Sequence, residues 1–196
     1  GKFIYMSGGI GSPGRLCGFV IDPVTQAWTP VEPAGGTPNA TGTNPGAVAI
    51  DPSGRFMYVP GGSISGNVTG FAIEGATGMA SPLPGSPFAP GDDFPGSAVV
   101  DRAGRFLYLG QGNSIFSGSI AVFVIDATTG ALTAVPGSPF AHFANYGRVA
   151  ALALSPDGRF LFAGGSGIGT YAVNPTTGVP TPVAITGNSD FLGLAV

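Results

Sequence analysis

The sequence is short of ionisable side chains. Only 9% of its 196 residues are charged, where soluble domains ordinarily carry about 25%. The formal net charge is -3, so there is no basic face for phosphate, and nucleic acid is excluded as an expected partner. Cys17 is the single cysteine, which rules out an internal disulfide and a CxxC metal site. His142 is the single histidine. The longest apolar run, residues 149–154, falls far short of the roughly 20 residues of a membrane helix. No initiator Met or signal peptide is present, and the chain is expected to be processed, trimmed or partial.

What is abundant is turn chemistry, with 35 Gly and 19 Pro beside 43% hydrophobic residues. A disordered chain has too few apolar residues to match this. One segment recurs: Gly-Lys-Phe-Ile-Tyr from Gly1, Gly-Arg-Phe-Met-Tyr from Gly54, Gly-Arg-Phe-Leu-Tyr from Gly104 and Gly-Arg-Phe-Leu-Phe from Gly158. The spacings are 53, 50 and 54 residues, a period that belongs to repeat architectures.

Each unit reads as four short strands. In the unit from Pro45, a small-residue run (47–50) leads into the turn Asp51-Pro52-Ser53-Gly54, and strand 55–59 follows. Strand 68–74, the turn Gly75-Ala76-Thr77-Gly78 and strand 79–83 complete it. Connections this short leave no room for crossover helices, so the unit is an antiparallel meander. Phe56 and Tyr58 share one face of their strand and Met57 takes the other, so both faces are covered. Pro in the fourth strand of three units confines that strand to an edge. The expected fold is an all-β propeller of four four-stranded antiparallel blades, with a β-sandwich as the alternative. Its blades are expected at about 1–44 with 191–196 as the closing strand, 45–95, 96–147 and 148–190. Phe3, Phe56, Phe106 and Phe160 are expected to be buried at equivalent positions between blades.

Three strings carry a family resemblance. They are Ser-Pro-Asp-Gly-Arg-Phe-Leu-Phe at 155–162, Val-Phe-Val-Ile-Asp-Ala-Thr-Thr-Gly-Ala-Leu-Thr at 122–133, and Pro-Gly-Ser-Pro-Phe at both 84–88 and 136–140. Together they resemble the lactonase-type β-propeller family, which includes bacterial 6-phosphogluconolactonase-like proteins and surface-protein repeats. The resemblance runs along essentially the whole chain and implies the propeller fold. It also implies catalytic His, Glu and Arg in the loops before the innermost strands, where Arg148 matches. Members typically have seven blades, so these four units form either a closed four-bladed ring or an arc of a larger one. Residues 192–196 are expected to pair with residues 2–6.

The turns absorb most of the charge: Lys2, Arg55, Arg102, Arg105 and Arg159 with Asp51, Asp101 and Asp157, then Asp22, Glu74 and Asp126. Left over are Arg15, Glu32, Asp92, Asp93, Arg148 and Asp190, with His142. Loops between blades emerge on one face, and that face is the default ligand or partner site. It is expected to gather Asp92, Asp93, Asn145, Tyr146, Arg148 and Asp190, with His142 and Arg148 as the catalytic candidates. No cofactor is expected. Asp92 and Asp93 could help to bind Ca²⁺ with Asp190, but adjacent loop carboxylates are ordinarily just solvated, so no metal is expected either. Cys17 is expected to be a buried structural thiol. So sparse an ionisable set is poor material for acid–base catalysis. The expected function is a non-catalytic, secreted, periplasmic or cell-surface module for protein binding or self-assembly, without a membrane span. The alternative is a lactone hydrolase of the resembled family.

Overall fold

The computed structural model describes residues 2–9, 14–31, 39–62, 66–112, 118–143 and 147–186. Among these residues there are seventeen strands, in four antiparallel sheets, and no helix. The first blade holds β1 (Phe3–Gly8), β2 (Gly14–Ile21), β3 (Trp28–Val31) and β4 (Asn39–Thr41). The second holds β5 (Ala49–Ile50), β6 (Phe56–Gly61), β7 (Asn67–Ile73) and β8 (Ala80–Pro82). The third holds β9 (Ser97–Val100), β10 (Phe106–Gln111), β11 (Ser119–Ile125), β12 (Leu132–Ala134) and β13 (Phe140–Ala141). The fourth holds β14 (Ala151–Leu154), β15 (Phe160–Gly164), β16 (Ile168–Val173) and β17 (Pro180–Thr186). The expected closing strand, 192–196, lies outside the described residues.

Two turns recur among the described residues, the first in the second to fourth blades and the second in all four. In the first, the Asp51 carboxylate accepts the amide N–H of Phe56 at 2.7 Å and of Ser53 at 3.0 Å, while Gly54 takes a left-handed φ of 71°. Asp101 repeats this with Phe106, and Ser155 substitutes its hydroxyl for Phe160. In the second, Asp22, Asp126 and Asn174 each accept two successive N–H groups, an Asx turn. These amides favour the ionised form, so the carboxyls of Asp22 and Asp126 are held below the usual range, chiefly by the N–H groups of Thr25 and Thr129.

The outer edge differs from the expected single fourth strand. It is assembled from two pieces that pair with opposite halves of the third strand: β3 and β4 both pair with β2, and β12 and β13 both pair with β11. In the second and third blades Pro-Gly-Ser-Pro-Phe joins the pieces. Ser86 and Ser138 accept the N–H of Gly70 and Val122 through Oγ, at 3.0 and 2.9 Å, and each precedes a cis proline. The hydroxyl thus stands in where no strand carbonyl is available. In the fourth blade one continuous strand, β17, spans the edge with a bulge opposite Thr170 and Tyr171.

The second strands of the second and third blades alternate between two neighbours. Met57 and Val59 join Leu16 in the core shared by the first and second blades. Phe56 and Tyr58 join Leu107, Leu109 and Phe123 between the second and third. Phe106 and Tyr108 join Leu161, Ala163 and Tyr171 between the third and fourth. Phe56 and Phe106 are buried as expected. Phe3 and Phe160 are only half-buried, which corrects the expectation of four equivalent sites; Phe160 is on the face of β15 turned away from the third blade, whereas Phe3 rests on Gly78 of the second blade and is still half-buried. Cys17 is also half-buried, on β2 opposite Met6, in place of the buried thiol expected. No strand pairing among the described residues closes the fourth blade onto the first.

Candidate functional site

The segments that lead into the innermost strands stack in sequence order. The Ala47 N–H meets the Gly96 carbonyl at 3.3 Å, and the Ser97 hydroxyl reaches the Val149 carbonyl at 3.4 Å. Gly96 and Val149 also hydrogen-bond to the end of β10, through Gly110 and Gln111. This backbone-to-backbone packing carries the candidate loops.

Asp92 and Asp93 sit on the segment before β9, where they line a cavity of about 270 Å³ with Gly66, Ala89, Pro90 and Gly91. Asp92 is held in place: one carboxylate oxygen accepts the Ser119 hydroxyl at 2.7 Å and the other accepts the Asp93 N–H at 2.8 Å. The Asp93 carbonyl accepts the Gly112 N–H at 2.9 Å. Beneath the loop lies Gln111, fully buried, whose Nε2 donates to the Pro90 carbonyl at 3.3 Å. Gln111 faces Ser119 across β10 and β11, so two neighbouring polar side chains fasten the 90–93 loop. Both were missed in the sequence. The available signal was a break in the repeat, since the equivalent position is glycine in the other three units, at Gly8, Gly61 and Gly165.

Arg148 is exposed on the segment before β14. His142 is elsewhere. It is buried between the third and fourth blades, 6% exposed, with its ring against Phe143 and Tyr171. Its Nδ1 is 2.6 Å from the Tyr171 hydroxyl, and the His142 backbone N–H donates to the Gly118 carbonyl. Nε2 is buried with no partner among the described residues. Burial disfavours the charged ring and lowers its pKa to about 4, so the imidazole is neutral at pH 7. A side chain so enclosed and already hydrogen-bonded cannot reach a substrate on the loop face, which corrects its placement there.

The structure therefore brings Asp92 and Asp93 together, leaves Arg148 on a neighbouring loop, and removes His142 to the interior. Asn145, Tyr146 and Asp190 lie outside the described residues. Among the described residues no group of three or more His, Cys, Asp or Glu is placed to hold a metal ion, and no helix is long and apolar enough to cross a membrane.

No family model and no curated protein matches this chain. Solved structures do. A "putative 6-phosphogluconolactonase" from Bacteroides fragilis matches with a TM-score of 0.72 and 19% identity, over 96% of this chain and 53% of its own. One of the same description from Bacteroides uniformis gives 0.70 and 19%, over 94% and 52%. The periplasmic gluconolactonase PpgL of Pseudomonas aeruginosa gives 0.68 and 22%, over 92% and 56%. The chain thus has the fold of the lactonase-type propellers and spans about half the length of these structures.

Proposed function

We propose that this chain forms part of a lactone-hydrolysing β-propeller and that its loop face receives a sugar lactone. The observation that carries this reading is the superposition of nearly all of this chain on a gluconolactonase and two propellers described as "putative 6-phosphogluconolactonase". It favours the hydrolase alternative over the non-catalytic expectation. Fold alone does not set activity, so the assignment needs a residue with a role. Arg148 is that residue: it is exposed on a loop before an innermost strand, where the family resemblance puts an arginine. In lactone hydrolysis water adds to the carbonyl carbon, the ring C–O bond breaks, and a proton passes to the ring oxygen. A guanidinium facing the carbonyl stabilises the oxyanion that develops. His142, neutral and enclosed, is not the base in this reading.

Acid release from glucono-δ-lactone, followed with a pH indicator, tests the proposal. Wild type is expected to exceed the buffer rate, and Arg148→Ala to lose about 100-fold or more of that excess with an unchanged melting temperature. A wild-type rate equal to buffer overturns it. The second reading, a binding or assembly module, is favoured by exposed apolar side chains on the first blade, Val24 at 88% and Trp28 at 54%. It predicts an inert wild type. For location we propose export to the periplasm or cell surface, in line with the periplasmic gluconolactonase PpgL. Fractionation of the source cells checks this.

A further inference from the structure

Three internal junctions share one docking device. Phe3 packs on Gly78, Phe56 on Gly130 and Phe106 on Gly178, each ring resting against the second turn of the following blade. Those glycines have φ of 76°, 73° and 73°. A Cβ added at Gly130 or Gly178 falls 2.5 or 2.6 Å from the ring, and one at Gly78 overlaps Phe3 as closely. The glycine is therefore required twice, by its left-handed backbone and by the ring that covers it. Around this contact the Tyr5 and Tyr58 hydroxyls donate to the Gly78 and Gly130 carbonyls at 2.7 and 2.8 Å. Lys2 and Arg55 donate to the turn carbonyls of Ala76 and Ala127.

The two ends of the arc break the device in complementary ways. In the fourth blade, Leu161 and Ala163 face the third blade, so the alternation of β15 turns Phe160 and Phe162 the other way. Both are half-buried, with the Arg159 guanidinium over the Phe160 ring. This is the docking set, with Phe162 replacing the tyrosine and needing no carbonyl. In the first blade, the second turn keeps the hydrogen bonds of the others, Gln26 N–H to Asp22 and Asp22 N–H to Ala27, each 2.9 Å. Gln26 nevertheless occupies the glycine position, at φ 56°. Its Cβ fills the place where a phenylalanine ring rests in every internal junction.

We propose that Arg159, Phe160 and Phe162 form a docking surface for a β-blade with glycine at the left-handed position of its second turn. Gln26 disqualifies the chain's own first blade from that place, within one molecule or between two copies. The three internal junctions define the occupant: each seats a phenylalanine on a left-handed glycine of the second turn. The inference is independent of the hydrolase reading.

The test uses full-length chains that can associate in only one direction. Fluorescent wild type supplies the fourth-blade face. The probe is Gln26→Gly combined with Phe160→Ala, which has a receptive first-blade turn and no phenylalanine of its own. Wild type is expected to bind this probe at least about tenfold more tightly than it binds the Phe160→Ala chain, read by sedimentation equilibrium. Gln26→Ala with Phe160→Ala, which keeps the Cβ, is expected to bind no better than Phe160→Ala. Circular dichroism confirms that each variant folds, and glycine at φ 56° is unstrained. Equal binding of all three chains overturns the role of Gln26. No binding of the Gln26→Gly probe overturns the docking surface.

Discussion

The third and fourth blades carry the same second-strand motif, Gly-Arg-Phe-Leu followed by an aromatic, yet they bury it differently. Every residue of β10 is buried, whereas β15 alternates between buried and half-buried. The sequence of the strand is nearly constant, so the difference comes from the neighbour. A blade with a described partner on both faces gains a two-sided core, and a blade with one gains half of it. The motif supplies the capacity for burial and the adjoining turn realises it.

The largest expected effect lies in that contrast. Phe106→Ala should lose about 3–5 kcal/mol in denaturant unfolding, because it empties a filled inter-blade site. Phe160→Ala should lose below about 1 kcal/mol, in keeping with its half-buried ring. Equal losses would mean that the outer face of the fourth blade is covered as fully as the third.

Next comes the boundary between these blades, where His142 rests on Tyr171. The unfolded ring titrates near 6.5 and the folded ring near 4, so between those values the unfolded chain binds the extra proton. Stability should therefore fall as pH drops from about 6.5 toward 4, by at most about 3 kcal/mol. His142→Gln should remove this slope, as read from unfolding midpoints at pH 7 and 4.5. A wild-type midpoint that stays flat over the window contradicts an enclosed neutral imidazole.

The smallest effect sharpens the comparison at the rim. Ser138→Ala leaves the buried Val122 N–H without its acceptor and should cost about 1–3 kcal/mol. Ala184 pairs with Thr170 through continuous strand in the fourth blade, so Ala184→Ser should be near neutral. If Ser138→Ala is neutral as well, the hydroxyl does not replace a ladder bond.

These sites also mark how far the sequence could be read. Strands and both turns were legible because Asp51, Gly54, Asp126 and Gly130 each recur with a fixed local job. Pro-Gly-Ser-Pro-Phe was visible as a motif, but its job was not, since the amide served by Ser138 is sixteen residues earlier. The candidate site was less legible. Asp92, Asp93 and Arg148 fall on loops as expected, whereas His142 was placed by loop position alone. Its burial depends on Phe143 and Tyr171, the latter on another blade, and no local pattern encodes that. Gln111 was missed, and only its departure from glycine could have marked it.

The docking of Phe106 on Gly178 has a consequence for how such a chain can grow. The ring belongs to one repeat and its seat to the next, so each duplicated segment brings a plug for its successor and a seat for its predecessor. Copy number can then change by whole units without the design of a new junction, because every insertion restores the contact that it interrupts. A single seat residue changed to carry a Cβ stops this propagation in one direction only. In the docking proposal Gln26 is the punctuation of an extensible chain, and Gln26→Gly should reopen the series.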